Sequence, residues 1–155
     1  MLSKNNMKII LSFLAIILIT KDCNNTTAFN NAQENEITII YQASSRGSFE
    51  EITVSKDSFS ISTDRAKKDI AFYKTTTKDW DDILKLLEII EINQLPNLKA
   101  PTSMRQYDGA AHATLTITRS KEKTKASTFD HGYPPDNIKT LVEKLLSFKK
   151  LASKQ

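Results

Sequence analysis

Apolar side chains recur at every second position in several short segments of this chain, and this alternation is the strongest constraint on its fold. The pattern is clearest in residues 111–119, where Ala113, Leu115 and Ile117 alternate with three threonines. Successive side chains of a β-strand point to opposite faces, so the pattern predicts strands with one apolar and one polar face. Such strands are typical of an antiparallel sheet that packs on a core through one face.

The other strand candidates flank this segment on both sides. The pair Lys56-Asp57 favours a tight turn between two of them. The last candidate returns along residues 111–119 after a turn at 120–123, and its inward face is ambiguous, because Phe129 has one parity and Ala126 and Thr128 have the other. These candidates are residues 36–43, 49–55, 58–63, 69–75 and 124–130.

Two segments repeat their apolar residues with helical spacing instead. The first covers residues 78–91, with Thr77 as the expected N-cap, and the second covers residues 136–149, with Pro135 in its first turn. The apolar stripe of the first helix predicts a face that packs on the sheet. It consists of Trp80, Ile83, Leu84, Leu87 and Ile90.

The order of these elements is β-β-β-(β)-α-β-β-α. It predicts an α+β domain in which two helices cover one face of an antiparallel sheet of about five or six strands. A chain of 155 residues has room for one such domain. Its 39% hydrophobic and 26% charged residues are ordinary for a globular protein and argue against a disordered or multi-span membrane chain.

The N-terminus has the features of an export signal. Residues 1–8 carry two lysines and no acid, and residues 9–19 are apolar apart from Ser12. This run suits the roughly 7 to 15 residues of a signal peptide and is shorter than the roughly 20 needed to span a bilayer. We therefore expect a signal segment at residues 1–22, a flexible polar tether at 23–35 and one domain at 36–150, in a periplasmic or secreted protein.

The single cysteine, Cys23, leaves two placements open. Cleavage after Ala28 would release a soluble protein. Alternatively, Cys23 resembles the lipidated cysteine of a bacterial lipoprotein, although Thr20, Lys21 and Asp22 depart from the apolar box that normally precedes it. A lipid on Cys23 would tether the domain to a membrane, where its role would be structural.

Charge and motifs argue against several classes of function. The net charge is +4, but three lysines lie in or beside the leader, so the remainder is nearly neutral and unlike a nucleic-acid-binding protein. The sequence contains no nucleophile elbow and no glycine-rich phosphate loop. We therefore expect neither an enzyme nor a cofactor.

The two histidines, His112 and His131, support a weaker chemical hypothesis. The final hairpin would place residues 130 and 131 opposite residues 111–113, close to Asp108 and Asp130. A cluster of carboxylates and imidazoles can bind a divalent metal or polarise a water. Its spacing matches no metal motif, however, and hydrogen-bonded loop histidines are the favoured interpretation.

Several short motifs between roughly residues 36 and 148 are similar to those of a known family. They include Ser45-Arg46-Gly47, Leu95-Pro96 and the segment from Asp130 to Pro135. In these motifs the chain resembles the emfourin family of protealysin inhibitors, which block thermolysin-like zinc metalloproteases. The resemblance implies a non-catalytic exported module that binds a protein, and specifically a metalloprotease inhibitor.

The surface expected to bind the partner consists of the first hairpin turn and the long loop at residues 97–109. A long loop in a small domain is more often functional than a short one. No nucleic-acid partner is expected, and membrane contact only through the leader or a lipid on Cys23. The candidate partner-binding residues are Ser45, Arg46, Gly47, Ser48, Phe49, Met104, Tyr107 and Asp108.

Overall fold

One antiparallel sheet forms the centre of the protein in the computed structural model, which describes residues 36–154. Within these residues the strand order is β4-β3-β2-β1-β5-β6, and a short β7 pairs with β5 beyond β6. With two main helices, this architecture confirms the predicted α+β class. The strands are β1 (Thr38–Ser44), β2 (Phe49–Ser55), β3 (Ser58–Ser62), β4 (Ala71–Lys74), β5 (His112–Arg119), β6 (Glu122–Lys125) and β7 (Phe129–Asp130).

Two α-helices follow the strands β4 and β7. The first, α1, is Thr77–Glu88, and the second, α2, is Asp136–Ala152. The N-cap of α1 is Thr76 and not Thr77, because the Thr76 hydroxyl is the group that accepts the Asp79 backbone N–H. Pro135 likewise precedes α2 as its N-cap residue instead of lying in its first turn. Two 3₁₀ helices were not predicted: Ile92–Asn97 lies between α1 and the expected loop at 97–109, and Met104–Tyr107 lies within that loop.

The hydrophobic core lies between one face of the sheet and the two helices. Tyr41 of β1 and Leu115 of β5 are fully buried, and Phe59 of β3 packs against Phe148 of α2 with ring centroids 4.6 Å apart. The apolar stripe of α1 packs into the same core, as its periodicity predicted. Its most buried members are Trp80, Ile83 and Leu87.

The final strands depart from the expected simple hairpin. Ser120 and Lys121 form a two-residue turn with φ of 48° and 73°, the mirror-image geometry that matches the twist of the flanking strands. The predicted strand at 124–130 is interrupted at 126–128, where the Ser127 N–H donates to Leu95 O at 3.1 Å. This break explains the ambiguous parity, because it allows Ala126 and Phe129 both to be buried.

The expected leader, the tether and Cys23 lie outside the described residues. The described residues all belong to one compact unit. Neither α1 nor α2, nor any other helix in residues 36–154, is long and apolar enough to cross a bilayer.

Candidate functional site

A row of paired residues crosses one end of the sheet and brings the candidate segments together. Ser44 at the end of β1 pairs with Phe49 of β2 on one side and with His112 of β5 on the other. His112 pairs in turn with Asp130 of β7. Paired residues share a face, and this row belongs to the face opposite the helices. The first hairpin turn and the last strand therefore meet at the same end of the sheet.

The turn between β1 and β2 is a compact projection held by its two serines. The Ser45 N–H donates to Ser48 O at 2.9 Å, and the two serine hydroxyls lie 2.7 Å apart. Arg46 and Gly47 at the tip are exposed. The turn is thus held in one conformation while its tip remains available to a partner.

Arg65 clamps this turn from a distant segment. Its Nη2 donates to Ser45 O at 2.6 Å and to Ser48 O at 3.3 Å. The guanidinium carbon lies 5.9 Å from the centre of the Phe49 ring, a cation–π distance. Phe49, which was predicted to contact a partner, is buried in the protein without one.

The loop that carries Arg65 is organised by the carboxylate of Asp64. This carboxylate accepts the backbone N–H groups of Ala66 and Lys68, each at 2.9 Å. These bonds hold the pKa of the Asp64 carboxyl below its usual value. Sequence reasoning missed Arg65, and the only local signal was Asp64, a residue type that favours such turns.

Asp130 positions the second candidate segment. Its side chain is fully buried and accepts hydrogen bonds from the Thr102 hydroxyl at 2.6 Å and the Met104 N–H at 2.6 Å. It also accepts the Arg105 N–H at 3.0 Å and Arg105 Nη1 at 2.9 Å. Burial alone would raise the pKa of the Asp130 carboxyl, but the Thr102 and Arg105 hydrogen bonds outweigh it and hold the pKa well below its usual range.

These contacts fix the start of the 3₁₀ helix Met104–Tyr107, because Asp130 satisfies the free N–H groups of its first turn. Beyond it, Tyr107 is 81% exposed, and Asp108 adopts a left-handed conformation with φ of 56°. Met104 is half-buried. The segment therefore presents an aromatic ring and a carboxylate on a backbone fixed to the sheet.

Between the hairpin turn and this segment lies an open cleft of about 820 Å³. One wall carries Arg46, Gly47 and Arg65, and the other carries Arg105 and Asp108. Ser44 and His112 also line it. Of the eight candidate partner-binding residues, Ser45, Arg46, Gly47 and Asp108 line this cleft, which we call the arginine cleft.

The two histidines are close in the fold but differ in their surroundings. His112 is exposed in the arginine cleft, whereas His131 Nδ1 lies 2.7 Å from the hydroxyl of buried Tyr41. Burial, and then the charge of Glu50, raise the pKa of the Tyr41 hydroxyl. Because His112 shares a face with Asp130, and His131 is the next residue, the imidazoles point to opposite faces. The structure does confirm the expected register, with His112 opposite Asp130.

The metal hypothesis gains no support from this arrangement. Among residues 36–154, no three His, Cys, Asp or Glu side chains are grouped so that they could hold a metal ion. Both oxygens of Asp130 are already bonded to Thr102, Met104 and Arg105. Asp108 and Asp130 therefore serve the same wall of the cleft in different ways, the first as an exposed group and the second as an internal anchor.

Comparisons of the chain with family models, with curated proteins and with solved structures find no match. Function therefore has to be inferred from the geometry of the cleft. Its lining includes three arginines and polar side chains, and its walls are built on the ends of the sheet. Such a surface can bind a partner without any covalent chemistry.

Proposed function

We propose that this protein is a non-catalytic binding module that holds a protein partner at the arginine cleft. The observation that supports this is the convergence of two segments, residues 45–48 and 104–108, on the walls of a single cleft. Each segment is held by a residue distant in the sequence, the first by Arg65 and the second by Asp130. A surface loop that only reverses the direction of the chain does not need two anchors from distant parts of the sequence.

Preorganisation is the physical advantage of this design. Ordering a loop on binding opposes association, so a turn that is already held in one conformation loses less entropy. The tip residue Arg46 and the exposed ring of Tyr107 are of the types enriched at interface hot spots. A partner would therefore bind a surface whose residues lose little conformational entropy on association.

The more specific proposal is that the partner is a thermolysin-like metalloprotease and that binding blocks it. The resemblance in Ser45-Arg46-Gly47 and in the segment from Asp130 to Pro135 supports this. The first motif lines the cleft, and the second begins with Asp130, which anchors the wall formed by residues 104–108. A projecting turn on a rigid base also has a suitable shape for the substrate groove of a protease, and the expected export would bring the protein to secreted proteases.

The test is a titration of a thermolysin-like protease with the purified protein. We expect inhibition that saturates at one inhibitor per enzyme. A Gly47→Trp variant should lose it, because a bulky ring at the tip would obstruct the contact. A Cβ at Gly47 meets nothing within 4 Å, so the substitution introduces no Cβ clash in the free protein.

The matched control is Lys123→Trp, which places the same ring on the exposed β5–β6 hairpin. It should inhibit like the unaltered protein, and both variants should keep the thermal unfolding midpoint of the parent. Equal inhibition by both variants would show that the turn is not in the contact. Absence of inhibition by the unaltered protein would remove the metalloprotease proposal.

A further inference from the structure

The arginine cleft carries positive charge that the protein itself does not neutralise. Arg46 forms no hydrogen bond or ion pair within residues 36–154. Arg65 donates to two backbone carbonyls, which are neutral acceptors, and no carboxylate of the described residues forms an ion pair with it. Two guanidinium groups therefore line the cleft without an anionic partner.

The remaining charged groups of the cleft do not cancel this excess. Arg105 is compensated by Asp130, to which its Nη1 donates at 2.9 Å. Among the described residues, Asp108 is the only carboxylate that lines the cleft, and it is exposed. His112 adds an imidazole that can donate a hydrogen bond. The balance of Arg46 and Arg65 against Asp108 is positive.

We infer that the arginine cleft binds a carboxylate of the protein partner, held between Arg46 and Arg65. This inference rests on the proposed binding function and names the chemistry that the cleft recognises. The planar fork of a guanidinium matches the two oxygens of a carboxylate, and such charge-assisted pairs are the stronger hydrogen bonds of proteins. An acidic side chain and a C-terminal carboxylate present the same group.

Two features favour an acidic peptide over a free phosphate ion or a nucleic acid. The residues that flank a carboxylate in a peptide can also contact the walls of a cleft of about 820 Å³, which a small phosphate ion cannot do. Nucleic acids also need an extended row of cations along their backbone, whereas this excess is confined to one concave site. The cleft suits a single anionic side chain and its flanking residues.

The probe is a short peptide with two glutamates, compared with the same peptide carrying two glutamines. Binding is followed by the backbone amide shifts of the full purified protein. We expect saturable shifts at Arg46, Gly47 and His112 with the glutamate peptide and none with the glutamine peptide. Inorganic phosphate at the same concentration should not displace the peptide.

Three variants test the charge logic. Arg46→Gln should weaken peptide binding roughly two- to five-fold, the size expected for one solvent-accessible ion pair. Asp108→Asn should strengthen it by a similar factor, since it removes the repelling carboxylate. Lys123→Gln, on the distant β5–β6 hairpin, should leave it unchanged.

Several results would overturn the inference. These are equal binding of the two peptides, displacement by phosphate, an equal effect of Lys123→Gln and Arg46→Gln, or shifts confined to another surface. Failure here is separable from failure of the inhibitor proposal, because the peptide experiment contains no protease. Peptide binding without inhibition would support the carboxylate site and reject the inhibitor proposal. Inhibition that Arg46→Gln and Asp108→Asn do not alter would support the inhibitor proposal without the carboxylate site.

Discussion

Arg105 and Asp130 form a buried ion pair in which Arg105 Nη1 lies 2.9 Å from Asp130 Oδ1, and the Asp130 side chain has no exposed surface. The pair joins the last strand of the sheet to the segment that forms one wall of the cleft. A buried carboxylate is stable only when donors surround it, and here Thr102 and the backbone N–H of Met104 complete the set. The wall of the cleft formed by residues 104–108 is therefore held in place by the last strand of the sheet.

Replacing Asp130 should therefore both destabilise the protein and loosen the cleft. Asp130→Ala leaves Arg105 without its carboxylate and frees the first turn of the 3₁₀ helix, so we expect a loss of about 3 kcal/mol in the free energy of unfolding. Thr102→Val removes one bond of the set and should cost about 1 kcal/mol. Urea denaturation gives both values. Equal losses in the two variants would contradict the role of Asp130 as the central anchor.

The low pKa of Asp130 predicts sensitivity to acid. An aspartate in an unfolded chain has a pKa of about 3.9, and the folded value lies below it. The stabilisation from this depressed pKa is therefore complete above the unfolded pKa and is lost as the pH falls through the folded pKa. Unfolding free energies measured from about pH 6 to about pH 2 should fall less steeply in Asp130→Asn than in the parent. Parallel curves would refute the assignment.

The cap of α1 can be assigned by a pair of neighbouring variants. The Thr76 hydroxyl accepts the Asp79 N–H at 3.1 Å and donates to the Asp79 carboxylate at 2.6 Å. Thr76→Ala should therefore cost about 1 kcal/mol of stability. Thr77→Ala, in the first turn, should change stability by less than about 0.5 kcal/mol, as expected for an exposed position. Both losses of stability are measured by thermal unfolding. A larger loss in Thr77→Ala than in Thr76→Ala would identify Thr77 as the N-cap.

Gly132, in the turn after β7, and Gly47, in the turn between β1 and β2, should respond differently to alanine. Gly132 has φ of +87°, so Gly132→Ala should cost about 1 kcal/mol or more because of backbone strain. Gly47 has no such φ, and its Cβ would meet open space, so Gly47→Ala should leave stability unchanged or slightly raised. Chemical denaturation of the two variants measures the change in the free energy of unfolding of each. A folding defect in Gly47→Ala would show that the turn needs glycine for its conformation.

Much of the fold was predictable because its signals are local. The alternation in residues 111–119 and the stripe from Trp80 to Ile90 report which faces are buried, and both packed as predicted. The turn near Lys121 fixes the register of the last hairpin, which placed Asp130 opposite His112. The cap at Thr76 was misplaced by one residue, because three consecutive threonines offer the same local chemistry.

The amino-acid sequence by itself determined the two α-helices, the strands up to β5 and the faces of these elements that meet the core, since these follow from hydrophobic periodicity within a few residues. It also marked residues 45–49, together with Met104, Tyr107 and Asp108, as candidate contacts in two segments. Only the tertiary structure decided that these segments share one cleft, that Arg65 and Asp130 anchor its walls, and that Phe49 lies beneath the surface. Those relationships join residues that are distant in the chain, and they arise only when sheet pairing brings the ends of β1, β2, β5 and β7 together.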